Sequence, residues 1–586
     1  MTSFRIERGP FLSTQIEAWL ELDSRFRNWP VVYALDGDDR IYVGESLNVA
    51  TRFRQHLASA EKRLLKGARV VLDPTFNKSV CLDLEAFLIQ RLSGDGTYQV
   101  MNRNVGISDR DYYGRADYQK IFADIFEELR RDGLFSHSLP EIENSDLFKL
   151  SPFKALTEDQ EIVVLDILEG LFADIETGVP SQVVVQGDPG TGKTVVAVYL
   201  MKLLSDVKAW DPSQQVESES PLAEFFVEGY PELLRDLRLG FIVPQMSLRK
   251  TIQRVFKRTP GLAPNMVMSP FEMSNAPEHF DVLIVDETHR LRQSGNQPAG
   301  PLYKMFSDIN RRLFGADDAN LTQLDWVKAK STHQIYLMDS AQSIHTGDVP
   351  SHLLTGLMTS SDDHRRRYRL TSQMRVQAGE DYVGYVRAVL SDQPPTPRPF
   401  TGYDLRFFDD ISQMRDAIRA RDREVGLARL VAGFAWPWVS RRDKDAYDIQ
   451  VGGVRMRWNR TDVDWVNSST SLDEVGVIHT IQGYDLNYAA VIIGPDLWYD
   501  ERTGRLAFDR TNYFDPTAAN NMPRRGITFA DDEILRLVQN IYAVLLTRGM
   551  LGTYVYVCDS ALRERLRPFF TAAAPGADTP RFLGTD

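Results

Sequence analysis

The sequence predicts an α/β protein of several domains built around a doubly wound nucleotide-binding core. Three observations predict it. The chain has 586 residues, too many for one hydrophobic core. The stretch Val183-Val184-Val185-Gln186-Gly187-Asp188-Pro189-Gly190-Thr191-Gly192-Lys193-Thr194 runs from an apolar strand through a glycine-rich loop into a helical pattern ending near Leu204. It fits G-x-x-x-x-G-K-[ST] without mismatch. Further on, Asp281-Val282-Leu283-Ile284-Val285-Asp286-Glu287 reads as a buried strand that ends in two acids.

Composition narrows the function classes. Hydrophobic content of 43% and charged content of 25% are ordinary for a soluble globular chain. Cys81 and Cys558 lie far apart, which argues against a disulfide framework or a zinc knuckle. A reducing, cytoplasmic setting is expected. The first residues hold no signal-like apolar region, and no run is long enough to span a bilayer, so no membrane partner is expected. The net charge of −13 means that any nucleic-acid contact must come from a local basic patch.

Residues 1–110 form the first expected domain. Val31 to Leu35 and Ile41 to Gly44 read as a hairpin around Asp36-Gly37-Asp38-Asp39-Arg40. A helical pattern follows Asn48, and it puts Arg52 and His56 four apart on one face. Leu82 to Ile89 reads as a buried helix that carries one acid, Glu85.

These residues resemble the GIY-YIG nuclease family. Val32-Tyr33 stands for its first half-motif, in a Val-Val-Tyr form, and Tyr42-Val43-Gly44 for the second. Asn48, Arg52, His56, Glu85 and Asn102 follow in the family's order. The resemblance implies a small α/β nuclease using Mg2+ or Mn2+. Glu85 would hold the metal and Arg52 would face the scissile phosphate. Tyr33 or Tyr42 would position or deprotonate the attacking water, with His56 assisting. That set suits phosphodiester hydrolysis, which needs a metal on a non-bridging oxygen, a water activator and a cation on the developing charge.

Residues 111–155 read as a connector. Tyr118 to Leu134 has helical periodicity, and Ser136 to Asn144 reads as polar linker.

Residues 156–356 carry the nucleotide motifs. Thr157 or Asp159 suits a helix cap, and Gln160 is placed to read adenine through its amide. Gly187, Gly190 and Gly192 let backbone N–H groups close on phosphates, and the following helix adds positive potential. Lys193 would reach the β- and γ-phosphates, and Thr194 would ligate Mg2+. Ala209 to Tyr230 is acidic and insertion-like, with no assigned role. Phe241 to Pro244 reads as a strand before a basic helix with Arg249, Lys250, Arg254, Lys257 and Arg258, a candidate strand contact. Asp286 would hold Mg2+ through water and Glu287 would polarise the attacking water. His289 and Arg290 follow at a coupling position. Asp339 and Gln342, after the strand beginning at Gln334, would sense the γ-phosphate.

Residues 357–586 hold three later features: Arg375 after a strand-like run, Gln482-Gly483 before the apolar strand Ala489 to Ile493, and Arg548 before the strand Thr553 to Val557. In order, Gln160, Lys193, Asp286-Glu287, Gln342, Arg375, Gln482-Gly483 and Arg548 resemble the motifs of superfamily 1 helicases. Asp339-Ser340-Ala341-Gln342 and the compact second half look most like the Schlafen-type branch. The resemblance implies two RecA-like lobes, ATP with Mg2+, Gln482 and Gly483 at the nucleotide, and Arg375 and Arg548 as arginine fingers. Candidate strand contacts are Arg365 to Arg369, Trp436-Pro437-Trp438, Arg455-Met456-Arg457-Trp458 and Arg524-Arg525. Trp498-Tyr499 is expected in the core.

The expectation is therefore an ATP-dependent or ATP-regulated nuclease and helicase. DNA is the preferred partner, and the fusion suggests bacterial anti-phage defence. The alternatives are a nuclease directed at RNA or tRNA, and an ATP-gated clamp with a weak nuclease. A homo-oligomer or a defence partner is compatible with either.

Overall fold

In the computed structural model, residues 4–103, 111–211, 221–294, 300–339, 344–373, 376, 378, 381–461, 464–481, 484–515, 521–522 and 526–570 are described. Gln342, Arg375, Gln482, Gly483, Arg524 and Arg525 lie outside them, as do residues 212–220 of the acidic stretch after Ala209. Compactness divides the chain into two units. One is Met1–Val179 with Thr194–Leu237 and Ile252–Met266; the other is Pro180–Lys193 with Arg238–Thr251 and Val267–Asp586.

The first unit holds a five-stranded sheet of β1 (Arg5–Pro10), β2 (Val31–Asp36), β3 (Arg40–Ser46), β4 (Gly67–Leu72) and β5 (Gln99–Val100). Its order is β1-β4-β2-β3-β5, antiparallel except between β3 and β5. Residues of β2 alternate between two cores. Val32 and Ala34 pack with the helix Lys78–Asp95. Val31, Tyr33 and Leu35 pack with Trp19 and Phe53 on the other face.

The helix Arg115–Arg131 buries Phe122, Ile125, Phe126 and Leu129, the spacing of one helical face. These side chains join the core under the Lys78–Asp95 helix. The stretch expected as polar linker holds a short helix, Leu139–Asn144, closed by a capping box between Ser138 and Glu141. Its Ile142 is buried in the same core. The expected connector is thus packed structure, because Phe122, Ile125, Phe126, Leu129 and Ile142 face inward.

The second unit contains two parallel sheets of the RecA-like kind. The first comprises β6 (Ser181–Gly187), β7 (Leu239–Ile242), β8 (Val267–Met268), β9 (Phe280–Val285), β10 (Ser331–Met338) and β11 (Arg367–Leu370). Its order is β11-β6-β10-β9-β7-β8, parallel throughout. Near-continuous burial of β9 and β10 fits strands covered on both faces. β11 pairs with β6, so residues 367–370 belong to the first sheet and not to the second lobe assigned from residue 357. Part of the basic run 365–369 is spent there: Arg367 bridges Asp362 and Gln186.

The second sheet comprises β12 (Asp404–Phe407), β13 (Ala428–Ala432), β14 (Ile449–Val451), β15 (Val454–Trp458), β16 (Glu474–Val477) and β17 (Leu486–Ile493). A separate hairpin, β18 (Leu497–Asp500) and β19 (Arg505–Phe508), precedes the last strand of the sheet, β20 (Gly549–Val557). The order is β12-β20-β17-β13-β16-β15-β14, parallel except for the β14–β15 hairpin. Two aromatic assignments change. Trp458 is fully buried and cannot meet a strand, and Trp498, expected in the core, is 37% exposed. Trp498 sits on the free-standing hairpin, whereas Trp458 sits at the centre of a cluster with Phe434, Trp436 and Trp438.

The glycine of the second half-motif has a packing reason. A Cβ at Gly44 would lie 2.4 Å from the Tyr33 hydroxyl across the β2–β3 pair. Gly44→Ala is therefore expected to displace the Tyr33 ring and cost about 1–3 kcal/mol. Urea unfolding of the N-terminal unit's signal checks this.

Candidate active sites

The five catalytic residues expected in the N-terminal unit come from four elements and meet. Tyr33 lies on β2 and Tyr42 on β3, which pair antiparallel. Arg52 and His56 lie on the helix Val49–Ala58, and Glu85 on the helix Lys78–Asp95. The Tyr33 hydroxyl is 2.8 Å from His56 Nε2. The Tyr42 ring centroid is 5.1 Å from that of His56. The Arg52 guanidinium and the Glu85 carboxyl both act electrostatically on the two tyrosines.

The other two matched positions support this geometry. Asn48 caps the helix by accepting from Thr51 N–H at 3.0 Å. Asn102 pairs with Val43 through both amide atoms, accepting at 3.1 Å and donating at 2.8 Å. It thereby fixes β3 between Tyr42 and Gly44.

The electrostatics define protonation states. Burial, with Lys62 and Arg52 adding to it, pushes His56 down to about 3, so its imidazole is neutral. Burial pushes the Tyr33 phenol well up and Tyr42 up to about 12. Both partners in the Tyr33–His56 hydrogen bond are thus uncharged. Burial, then the charge of Glu45, pushes Glu85 up to about 8. Lys78, Arg52 and Lys62 offset this only in part.

A carboxylate in that position calls for a further cation. Glu45 Oε2 is buried with no hydrogen-bond partner, while Oε1 is 2.7 Å from Lys78 Nζ. The residues therefore fit a divalent cation. Among the described residues no group of three or more His, Cys, Asp or Glu side chains forms a metal cage. Glu45 and Lys62, whose ammonium sits 3.4 Å over the Tyr42 ring, were not anticipated. Neither belongs to a sequence motif; only the fold brings them in.

In the second unit, β6 leads into the glycine-rich loop and on to Lys193, the first residue of the helix Lys193–Lys208, which from Thr194 onward is assigned to the first unit. Gly190 and Gly192 take φ of +88° and +79°, which favour glycine. A Cβ at Gly187 would lie 2.3 Å from Thr191 Oγ1. Lys193 Nζ donates to the carbonyls of Gly187 (2.7 Å) and Asp188 (3.0 Å), so its charge lies within the loop. The loop fits the polyphosphate of a nucleotide.

Asp286 and Glu287 follow β9. Asp286 is fully buried and accepts from the Glu287 N–H at 2.9 Å. Glu287 takes φ of +48°, a left-handed conformation that is uncommon off glycine and turns its side chain away from the strand line. Its Oε2 lies 3.0 Å from His289 Nε2. Burial alone would push the Glu287 carboxyl up; His289, then Lys193 and Arg548, outweigh it and hold the group below the usual range. Arg548, buried, also donates to the Tyr484 carbonyl at 3.3 Å.

A polar chain continues from there. The Asp339 N–H donates to His289 Nδ1 at 3.3 Å. Arg387 reaches Asp339 (3.2 Å) and Asp188 of the loop (2.8 Å). Arg387 was not anticipated. It is the off-face residue of a helix, Tyr382–Val389, whose sequence signal is apolar. Two expectations meet competing roles. Gln160 is fully buried and its amide oxygen accepts from Thr157 N–H at 3.1 Å, closing a capping box rather than presenting an open edge to adenine. Arg249 is folded back onto the carbonyls of Val243 and Pro244 at the base of its helix.

Residues 180–559 match the family described as Schlafen group 3, DNA/RNA helicase domain. The chain belongs to that family. Its membership and the nucleotide loop together make it a helicase-like, NTP-hydrolysing protein with a nucleic-acid-binding function. The Schlafen match begins after the N-terminal cluster. An uncharacterised protein of Saccharomyces cerevisiae is 27% identical over 414 residues, covering 66% of this chain and 84% of its own length. Among solved structures, the arterivirus nonstructural protein 10 helicase is similar at 12% identity and a TM-score of 0.27, over 68% of this chain and 64% of that one. A Bacteroides Pif1 helicase in complex with ADP-AlF3 and ssDNA is similar at 10% identity and a TM-score of 0.26, over 70% and 94%. Scores this low carry no argument. No helix among the described residues is long and apolar enough to cross a membrane.

Two outcomes are expected. Glu287→Gln should retain ATP binding and lose hydrolysis by about 10²–10⁴-fold, as for removal of a general base; phosphate release assays check it. Glu85 sits at about 8 when folded against an ordinary 4.5. The folded state therefore holds the extra proton between these values, and metal-free stability falls as pH rises through that window. Thermal melts from pH 5 to 9 should show this fall in the wild type and a flatter profile in Glu85→Gln.

Proposed function

We propose that the Schlafen-type motor is fused to an active GIY-YIG-like nuclease, and that the chain cleaves DNA under the control of ATP. The observation that carries this reading is the convergence of Tyr33, Tyr42, Arg52, His56 and Glu85 from four separate elements. A shared core would explain the tyrosines alone. It would not explain a buried carboxyl, an arginine and a neutral histidine around them.

A divalent cation held by Glu85, with Glu45 beside it, would supply Lewis-acid charge to a non-bridging phosphate oxygen. The chain's own groups do the rest. Arg52 binds the phosphate and offsets the charge that builds on it. Tyr42, half-buried, orients the water. The water oxygen bonds to phosphorus as the ester P–O bond breaks, and the leaving oxygen is protonated from solvent. The water's proton leaves to solvent, and His56, hydrogen-bonded to Tyr33, assists by holding the tyrosine pair in place.

At the motor, Thr194 and Asp286 would hold Mg2+, Glu287 would polarise water, and Arg548 and Arg387 would face the γ-phosphate. Gln342, Arg375, Gln482 and Gly483 keep the roles their motif order implies. Fusion of nuclease and motor suits defence against foreign DNA. The family's DNA/RNA description supports RNA as the second reading.

The test is cleavage of linear, circular and single-stranded DNA and of RNA, with Mg2+ or Mn2+, with and without ATP. Wild type is compared with Glu85→Ala and Lys193→Ala. Loss of cleavage by at least about 10²-fold in Glu85→Ala, and loss of the ATP effect in Lys193→Ala, is the expected result. Equal cleavage by Glu85→Ala removes the nuclease assignment.

A further inference from the structure

An acidic protein rarely gathers unpaired cations without an anion to meet. After β13 the chain turns through Trp436-Pro437-Trp438 and a short helical turn, Val439–Arg441, into the β14–β15 hairpin. A cavity of about 160 Å³ opens there, lined by Trp438, Arg441, Lys444, Arg457, Asn459 and Arg460, with no acidic side chain in its wall. Arg460 is 3.4 Å from Glu474. Arg441, Lys444 and Arg457 have no carboxylate within ion-pair reach among the described residues.

Two of the cations are held in place. Arg441 stacks on Trp438 at 3.9 Å, and Trp438 leans on the buried Trp458. Arg457 donates to the carbonyls of Ala446 (2.9 Å) and Asp445 (2.8 Å) and lies 4.2 Å from the Tyr447 ring centre. Fixed guanidinium groups facing one hollow suit a tetrahedral anion, because their orientation is set before binding.

Size narrows the anion. Pockets for whole small molecules span roughly 300–1,000 Å³. This cavity takes a phosphate and some water but not a base and sugar as well. A strand running over the surface could place one phosphate in it and leave its bases outside.

The back wall connects to the turn Ile478–Ile481. Asn459 is buried; its Nδ2 donates to Thr480 Oγ1 at 3.1 Å and its Oδ1 accepts from Val477 N–H at 3.1 Å. Val477 precedes the turn Ile478–Ile481 and Thr480 lies within it. We infer that the cavity seats a single phosphate of a single-stranded nucleic acid and that Asn459 relays its occupancy to this segment. The inference rests on the helicase-like reading.

The experiment uses the full chain and a labelled single-stranded oligonucleotide, read by fluorescence anisotropy over a salt series. Wild type is compared with Arg441→Glu/Lys444→Glu, with Lys444→Gln, and with Arg502→Glu as a charge-reversal control on the exposed β18–β19 turn. The double variant should bind at least about tenfold more weakly, with a salt slope lower by about 0.7 for the lost phosphate. Lys444→Gln should fall between, and Arg502→Glu should match wild type. Strand stimulation of ATP hydrolysis should drop in the same order. Wild-type binding by the double variant overturns the inference alone. Inorganic phosphate that binds the wild type but not the double variant, without weakening strand binding beyond its ionic-strength effect, also overturns it. A wild type that binds no strand removes the nucleic-acid reading as well.

Discussion

A buried carboxylate is costly unless a positive charge meets it, and both candidate centres are built around one. They solve the problem in opposite ways. Glu287 is met from within by the Lys193 and Arg548 cations, with His289 Nε2 at 3.0 Å, and stays ionised. Glu85 is burdened further by Glu45, and its nearby cations do not balance the pair. The motor centre is thus internally neutralised and ready for a nucleotide. The N-terminal centre leaves a deficit that a divalent cation would fill. That difference follows from what packs around each acid, not from the acids themselves.

The parallel sheet explains why the motor groups meet at all. β6, β9 and β10 run side by side in one direction, so the glycine loop, Asp286-Glu287 and Asp339 all emerge at their C-terminal ends. His289 and Arg387 then stitch these ends together. The N-terminal sheet achieves convergence differently. Antiparallel β2 and β3 place Tyr33 and Tyr42 on neighbouring strands, and two helices deliver the charged groups. Gly44 leaves room for the Tyr33 hydroxyl, and Asn102 holds the strand beside it.

Much of this was legible in the sequence because tight turns and buried acids demand particular residues. Strand β6, the glycine loop and the helix from Lys193 follow from one motif, and β9 from its apolar run. The hairpin of β2 and β3 was legible from its turn residues. Pairing was not: nothing in Arg367 to Leu370 says that it joins β6, so the lobe boundary was set too early. The helix Leu139–Asn144 was hidden by its polar exterior, although Ser138 and Glu141 spell a capping box. The same motif in Thr157 and Gln160 gives the glutamine a local role that a motif match overlooks. Arg387, Glu45 and Lys62 carry no local signature, since their place depends on tertiary packing alone.

The central claim is that Glu85 is a carboxyl kept for a cation. Calorimetric titration of Mn2+ into the nucleotide-free chain at pH 7, in two buffers of different ionisation enthalpy, tests it most directly. The account predicts binding to wild type with release of about one proton, and loss of that binding and that proton in Glu85→Gln. Equal binding and equal proton release by Glu85→Gln would contradict it.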